Sequence, residues 1–252
     1  MLEKGVNSSY DLICFPELFA SAINLCNMDK TAETMDGYLF HELSKIALRY
    51  GSHVIGGLLE KSGDEYYNTA LVIGNNGRLI GKHRKICLNE FEEQFLCPGN
   101  KVGIFETEIG KLGVLIGNDI NSLLLCERLA VEDADILICI SQIPFEYSCI
   151  VENVALSRVM DIPCYLLLST IVGTSSISRI DFYGLTSAML NTNLLEDCIC
   201  TKVDNFILGK LNDNETGLLN LEIDLDKLRE GKNFSTNKIQ HKEIREILEL
   251  HK

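Results

Sequence analysis

Gly113-Val114-Leu115-Ile116-Gly117-Asn118-Asp119 reads as the end of a strand followed by a tight turn. The run Val114–Ile116 is apolar without a break, and Gly117 accepts the positive φ of such a turn cheaply. Asp119 is placed to cap the helix expected near Ser122–Glu132. Upstream, Val102–Thr107 pairs with Leu112–Ile116 as a hairpin across Ile109-Gly110-Lys111. Downstream come a strand over Asp135–Ile140, a helix near Val151–Met160 and a strand over Cys164–Ser169. Val151, Val154, Ala155 and Val159 fall on one face of that helix. Strands alternating with amphipathic helices, with hairpins among them, indicate an α/β domain with mixed sheets.

The pattern extends in both directions. Asp11–Glu17 begins as a buried strand and stops at Pro16. Leu39, Leu43, Ile46 and Tyr50 recur at helical spacing within Thr34–Tyr50, and Gly51 is the stop. His53–Leu59 reads as a strand. Tyr66–Ile73 and Arg78–Gly81 flank the turn Asn75-Asn76-Gly77. Ser187–Leu195, Ile199–Val203 and Leu218–Ile223 read as further strands. The tail from about residue 240 is a charged helix with Ile244, Ile247 and Leu248 on one side. No linker or repeat divides residues 1–252, so one domain is expected.

Composition narrows the function classes. The 252 residues are 46% hydrophobic and 23% charged, with a net charge of −13. A chain of this length buries roughly 70–75% of its unfolded surface and needs no staple. The acidic balance argues against nucleic acid and anionic membranes as partners. The ten cysteines are scattered, without Cys-x-x-Cys, and the five histidines form no ligand-spaced pair. Reduced thiols are therefore expected, with no metal site and no cofactor. No apolar run approaches the 18 or so residues of a membrane span, and Glu3 and Lys4 interrupt any signal peptide. A cytoplasmic protein is expected.

Three segments arrive in a recognisable order: Phe15-Pro16-Glu17-Leu18; then Gly81-Lys82-His83-Arg84-Lys85-Ile86 with Glu92 and Pro98-Gly99; then Gly113–Asp119. Asn68-Thr69-Ala70, Asp133-Ala134-Asp135, Ser157-Arg158 and Phe182-x-Gly184-x-Thr186 follow the same pattern. Together they resemble the nitrilase, or carbon–nitrogen hydrolase, superfamily over roughly residues 10 to 230. The resemblance, with the element order, implies a four-layer αββα sandwich of two mixed sheets. It also implies hydrolysis of non-peptide C–N bonds in a small amide or carbamoyl compound. In that family a cysteine thiolate attacks, a glutamate moves the proton, and a lysine with backbone N–H groups holds the oxyanion. Matched position by position, Glu17 takes the general-base place, Lys85 the oxyanion place and Glu92 that of the second glutamate. Backbone N–H groups near Asn118 take the substrate-binding place. Two carboxylates around one ammonium are expected to keep the lysine charged and both glutamates ionised.

The resemblance breaks at the nucleophile. Gly117 occupies that position and has no side chain with which to attack. Ser122-Leu123-Leu124 stands where the family carries Phe-Pro-Glu. The family also opens with a strand and helix before its Pro-Glu, whereas Phe15 is reached after fourteen residues, so the first strand is expected to be missing. Cys139 is the nearest alternative thiol by topology, and a packed core cysteine is the better reading of it. The chain is thus expected to be an impaired hydrolase. The alternative is a non-catalytic protein that binds a small amide or amine, or that partners an active relative. The family is oligomeric, and Leu123, Leu124 and Leu129 with the tail's apolar side supply stripes for a homodimer or larger assembly.

Overall fold

In the computed structural model, residues 10–21, 27–175, 179–191, 206–212 and 214–234 are described. The chain runs β1 (Leu12–Cys14), α1 (Met28–Thr31), α2 (Tyr38–Tyr50), β2 (His53–Ser62), β3 (Glu65–Ile73) and β4 (Leu79–Arg84). It continues through β5 (Gly103–Thr107), β6 (Gly110–Ile116), α3 (Leu123–Val131), β7 (Ile136–Ser141), α4 (Ser148–Asp161) and β8 (Tyr165–Thr170). The remaining elements are β9 (Gly173–Thr174), β10 (Asp181–Phe182), β11 (Ser187–Met189), β12 (Ile207–Lys210) and α5 (Leu225–Phe234).

The strands form two large mixed sheets. One has the order β1-β2-β3-β4, with β1 parallel to β2 and the rest antiparallel. The other has the order β12-β11-β8-β7-β6-β5, with β6, β7 and β8 parallel. Strand alternation decides the layering. Ile55, Ala70 and Val72 of the first sheet meet Leu112, Val114, Ile116, Ile136, Ile138 and Ile140 of the second. The opposite face of the first sheet, with Val54, Leu58, Leu71 and Ile73, packs on Leu39, Leu43 and Ala47 of α2. The outer face of the second sheet, with Leu115, Leu137 and Cys139, packs beneath Leu129 of α3 and Ala155 and Val159 of α4. The result is the αββα sandwich.

Two sequence expectations need correction, and one helix goes beyond them. Leu218–Ile223 is not a strand; it runs as irregular chain, and Ile223 with Leu225 reaches the inter-sheet core. Leu129 is fully buried against the second sheet, so it does not belong to an exposed stripe with Leu123 and Leu124. Helix α5 has little apolar periodicity in the sequence, because Leu225 and Leu228 are its only aliphatic residues amid charge. Ile199–Val203, most of Ser187–Leu195 beyond β11 and the tail from 240 lie outside the described residues.

Ile138 is wholly buried in the inter-sheet layer. Ile138→Ala is expected to lower the unfolding free energy by about 2–5 kcal/mol. Urea unfolding followed by far-UV circular dichroism measures the change.

Candidate active site

The ends of β1, β4, β6 and β7 converge at one buried point. Glu17 follows β1 and is 3% exposed, Lys85 follows β4 at 4%, and Glu92 lies on a short 3₁₀ turn at 8%. Lys85 Nζ donates to Glu17 Oε1 at 3.0 Å and to Glu92 Oε1 at 2.6 Å. Glu17 is held further by Asn68 Nδ2, 2.6 Å from Oε1, and by the backbone N–H of Gln142, 2.8 Å from Oε2. Gln142 Nε2 also reaches the Glu17 main-chain oxygen at 2.9 Å. Glu92 is oriented by the Asn89 N–H, 3.0 Å from its Oε2.

Two backbone features make room for Glu17. A Cβ on Gly57 would lie 2.7 Å from Leu18 N and 3.0 Å from Glu17 Cα, so only glycine lets β2 pass this close. Leu18 itself has φ +44, a left-handed conformation that branched or bulky residues rarely adopt. Strain of this kind gathers where side-chain placement is over-determined.

Gly117 completes the cluster from β6. Its φ is +49, and a Cβ there would sit 2.9 Å from Lys85 Nζ and 3.1 and 3.3 Å from the two Glu17 carboxylate oxygens. The backbone of residue 117 therefore stands in direct reach of both charged groups. Asp119 secures this turn: its carboxylate accepts the N–H groups of Ile116, Ile86 and Cys87 and pairs with His83 Nε2 at 2.9 Å. Arg158 of α4 donates to the Ile120 and Asn121 carbonyls, pinning the far side. Asn118 occupies the next position of the same turn. All the site residues singled out in the sequence thus meet at one place. Asn68, Gln142 and His83 join it as well; Asn68 and His83 lie within the quoted motif segments, and Gln142 carries no motif signal.

Electrostatics follow from burial. Desolvation lowers the Lys85 proton affinity, but the charges of Glu17 and Glu92 outweigh it and raise the ammonium above its ordinary value. Burial pushes Glu17 above the usual carboxylate range; the Lys85 charge opposes this and the Glu92 charge adds to it. Burial and the second carboxylate together oppose the Glu17 charge more than the single ammonium supports it. Asp119 goes the other way. Desolvation would raise it, yet the His83 hydrogen bond and the backbone N–H groups hold it low. Burial raises Cys139 far above a normal thiol, and its Sγ faces the Gly117 carbonyl at 3.9 Å, so it is not a ready thiolate. Among the described residues no cluster of three or more His, Cys, Asp or Glu is grouped to hold a metal ion.

A family model described as carbon-nitrogen hydrolase matches residues 3–233. The chain belongs to the carbon–nitrogen hydrolase family. It is 28% identical over 236 residues to a probable nitrilase of Schizosaccharomyces pombe, covering 91% of this chain and 82% of that protein. It is 29% identical over 148 residues to an omega-amidase of Xenopus tropicalis, covering 55% of this chain and 54% of that protein. The chain thus matches only about half the length of that omega-amidase. In fold it is similar to a CN-hydrolase superfamily protein of Xanthomonas campestris, with a TM-score of 0.80 and 19% identity. That match covers 92% of this chain and 84% of the other. Among the described residues, no helix of this carbon–nitrogen hydrolase homologue is long and apolar enough to cross a membrane.

The raised Glu17 carboxyl has a sign that a titration can read. Between the unfolded glutamate value of about 4.3 and the raised folded value, the folded chain keeps a proton that the unfolded chain has released. This group's contribution to stability is therefore full at low pH and falls as pH rises, by about 1.4 kcal/mol per pH unit across the window. Glu17→Gln is expected to remove that decline. Parallel urea-midpoint profiles for both proteins from pH 4.5 to 7.5 would show Glu17 titrating normally.

Proposed function

We propose that this family member holds a small amide or amine beside Glu17 and Lys85, and that hydrolysis through a covalent thioester is closed to it. In this reading Glu17 is the proton-transfer group, Lys85 the oxyanion partner and Glu92 the group that steadies Lys85. The backbone N–H groups near Asn118 are the second oxyanion donors. Gly117 stands at the nucleophile position. The observation that carries the reading is the crowding around residue 117: Lys85 Nζ lies within 2.9 Å of where its Cβ would be. The acid–base and oxyanion groups surround a backbone that offers them no attacking atom. Removing the nucleophile from a covalent mechanism leaves roughly the 10³–10⁴-fold gain over water that binding and oxyanion stabilisation supply.

The same reading takes residues 1–252 as one cytoplasmic domain that associates with a second copy. Supporting the association, Leu123 and Leu124 on α3 are 47% and 68% exposed, and Ile150 on α4 is 56% exposed.

Ammonia release from a panel of small amides and carbamoyl compounds tests the reading. Wild-type release is expected to be near background, and Gly117→Cys to raise it only to a trace. The trace is small because a side chain at φ +49 is strained and the new Cβ displaces Lys85. Robust wild-type turnover that survives loss of Glu17 and Lys85 would contradict the proposal. Turnover abolished by Cys139→Ala would show that the nucleophile had moved.

A further inference from the structure

Helix α5 is fastened to the sandwich mainly by charge. Of its described side chains only Leu228 and Lys232 are buried. Arg229 forks onto Asp135, which stands just before β7: Nη2 donates to Oδ2 at 2.7 Å and Nε to Oδ1 at 3.3 Å. Lys232 Nζ donates to Asp133 Oδ1 at 3.1 Å, to the Ala134 carbonyl at 2.8 Å and to Asp135 Oδ1 at 3.4 Å. Asp135 is 6% exposed and also accepts the Lys111 N–H at 3.1 Å. Arg229 and Lys232, three positions apart, meet this carboxylate from one face of the helix.

The seat beneath the helix is loosely filled. Gly110 at the start of β6 has φ +112, and a Cβ there would lie 3.0 Å from both Leu225 Cδ1 and Asp135 Oδ2. The helix therefore rests on bare backbone at this point. A hollow of about 250 Å³ lies beside the ion pairs, lined in part by Glu106, Lys111, Asp135 and Arg229. A second, of about 460 Å³, lies at Glu222–Asp226, where the helix begins. Residues 214–222 ahead of it are nearly all exposed. Tyr165 Oη donates to the Asp224 carbonyl and accepts the Asp224 N–H, each at 3.2 Å, which fixes the chain just before the helix. Few buried apolar contacts and an exposed approach are the marks of a segment that opens locally.

We propose that α5 is a strap that opens as its own unit, pivoting at Asp224 and released when the ion clasp on Asp135 parts. With a single leucine fully buried, little apolar area holds the strap shut once the charges separate. Leu225 and Leu228 belong to the apolar cluster of Leu112, Ile136 and Tyr165, at the end of the parallel strands opposite Gly117. Opening uncovers that end of the inter-sheet layer while both sheets stay folded.

Hydrogen–deuterium exchange of the full-length protein, read by mass spectrometry across a urea series below the unfolding midpoint, tests this. Interior α5 amides of the wild type are expected to exchange at least about tenfold faster than those of β7, at a rate that urea barely changes. Arg229→Met keeps the apolar stem and removes the fork. It is expected to speed α5 exchange at least about fivefold and to leave β7 within about twofold. Lys227→Met is the control, because Lys227 is exposed and its side chain lies outside the clasp; α5 is expected to stay within about twofold. One common protection and one common urea dependence for α5 and β7 overturn the strap. An α5 unmoved by Arg229→Met, or one that speeds up only together with β7, overturns the clasp. If Arg229→Met does not fold, the wild-type comparison decides alone.

Discussion

One carboxylate joins the two sheets where the site lies. Asp119 belongs to the turn after β6 in the six-stranded sheet, yet it accepts the N–H groups of Ile86 and Cys87, which follow β4 in the four-stranded sheet. Its own strand end is held through the Ile116 N–H, and His83 of β4 closes the set. Lys85 lies between His83 and Ile86, so the same contacts that tie the sheets carry its ammonium to Gly117. Hydrogen bonds to a charged acceptor are about twice as strong as neutral ones, and here they are shielded from water. The inter-sheet core supplies area. Asp119 supplies register.

The Glu17–Lys85–Glu92 cluster is a poor choice if stability is its only role. Burying ions is costly, and packed apolar residues often do as well or better. The cluster also comes with an uneven charge count, a left-handed Leu18 and a glycine that leaves Glu17 just enough space. Perturbed carboxyls and local strain of this kind gather at functional sites. The proposed loss of the thiol removes the attacking atom but leaves the surrounding electrostatics in place.

Much of this was legible along the chain. Short, nearly continuous apolar runs bounded by turn residues located β2, β3, β6, β7 and β8, and the 3.6-residue spacing located α2 and α4. The order of short motifs brought Glu17, Lys85, Glu92 and residue 117 to one place. Elements were harder to read where tertiary contact decides. Leu218–Ile223 has strand-like composition, but among the described residues it pairs with no strand and instead packs Ile223 against the core. Leu129 looked like part of a surface stripe because position on a helix wheel says nothing of which neighbour covers it. The roles of His83 and Gln142 depend on contacts 36 and 125 residues away, which no local pattern encodes. The direction of the Glu17 shift required knowing how completely the triad is buried.

The central claim is that Glu17 and Lys85 surround a position with no nucleophile, so no covalent acyl-enzyme forms. Acid-quenched intact-mass spectrometry of the native protein during incubation with small amides measures this directly. The account predicts an unchanged mass at every time point. An acyl adduct that maps to a cysteine and disappears in Glu17→Gln would contradict it.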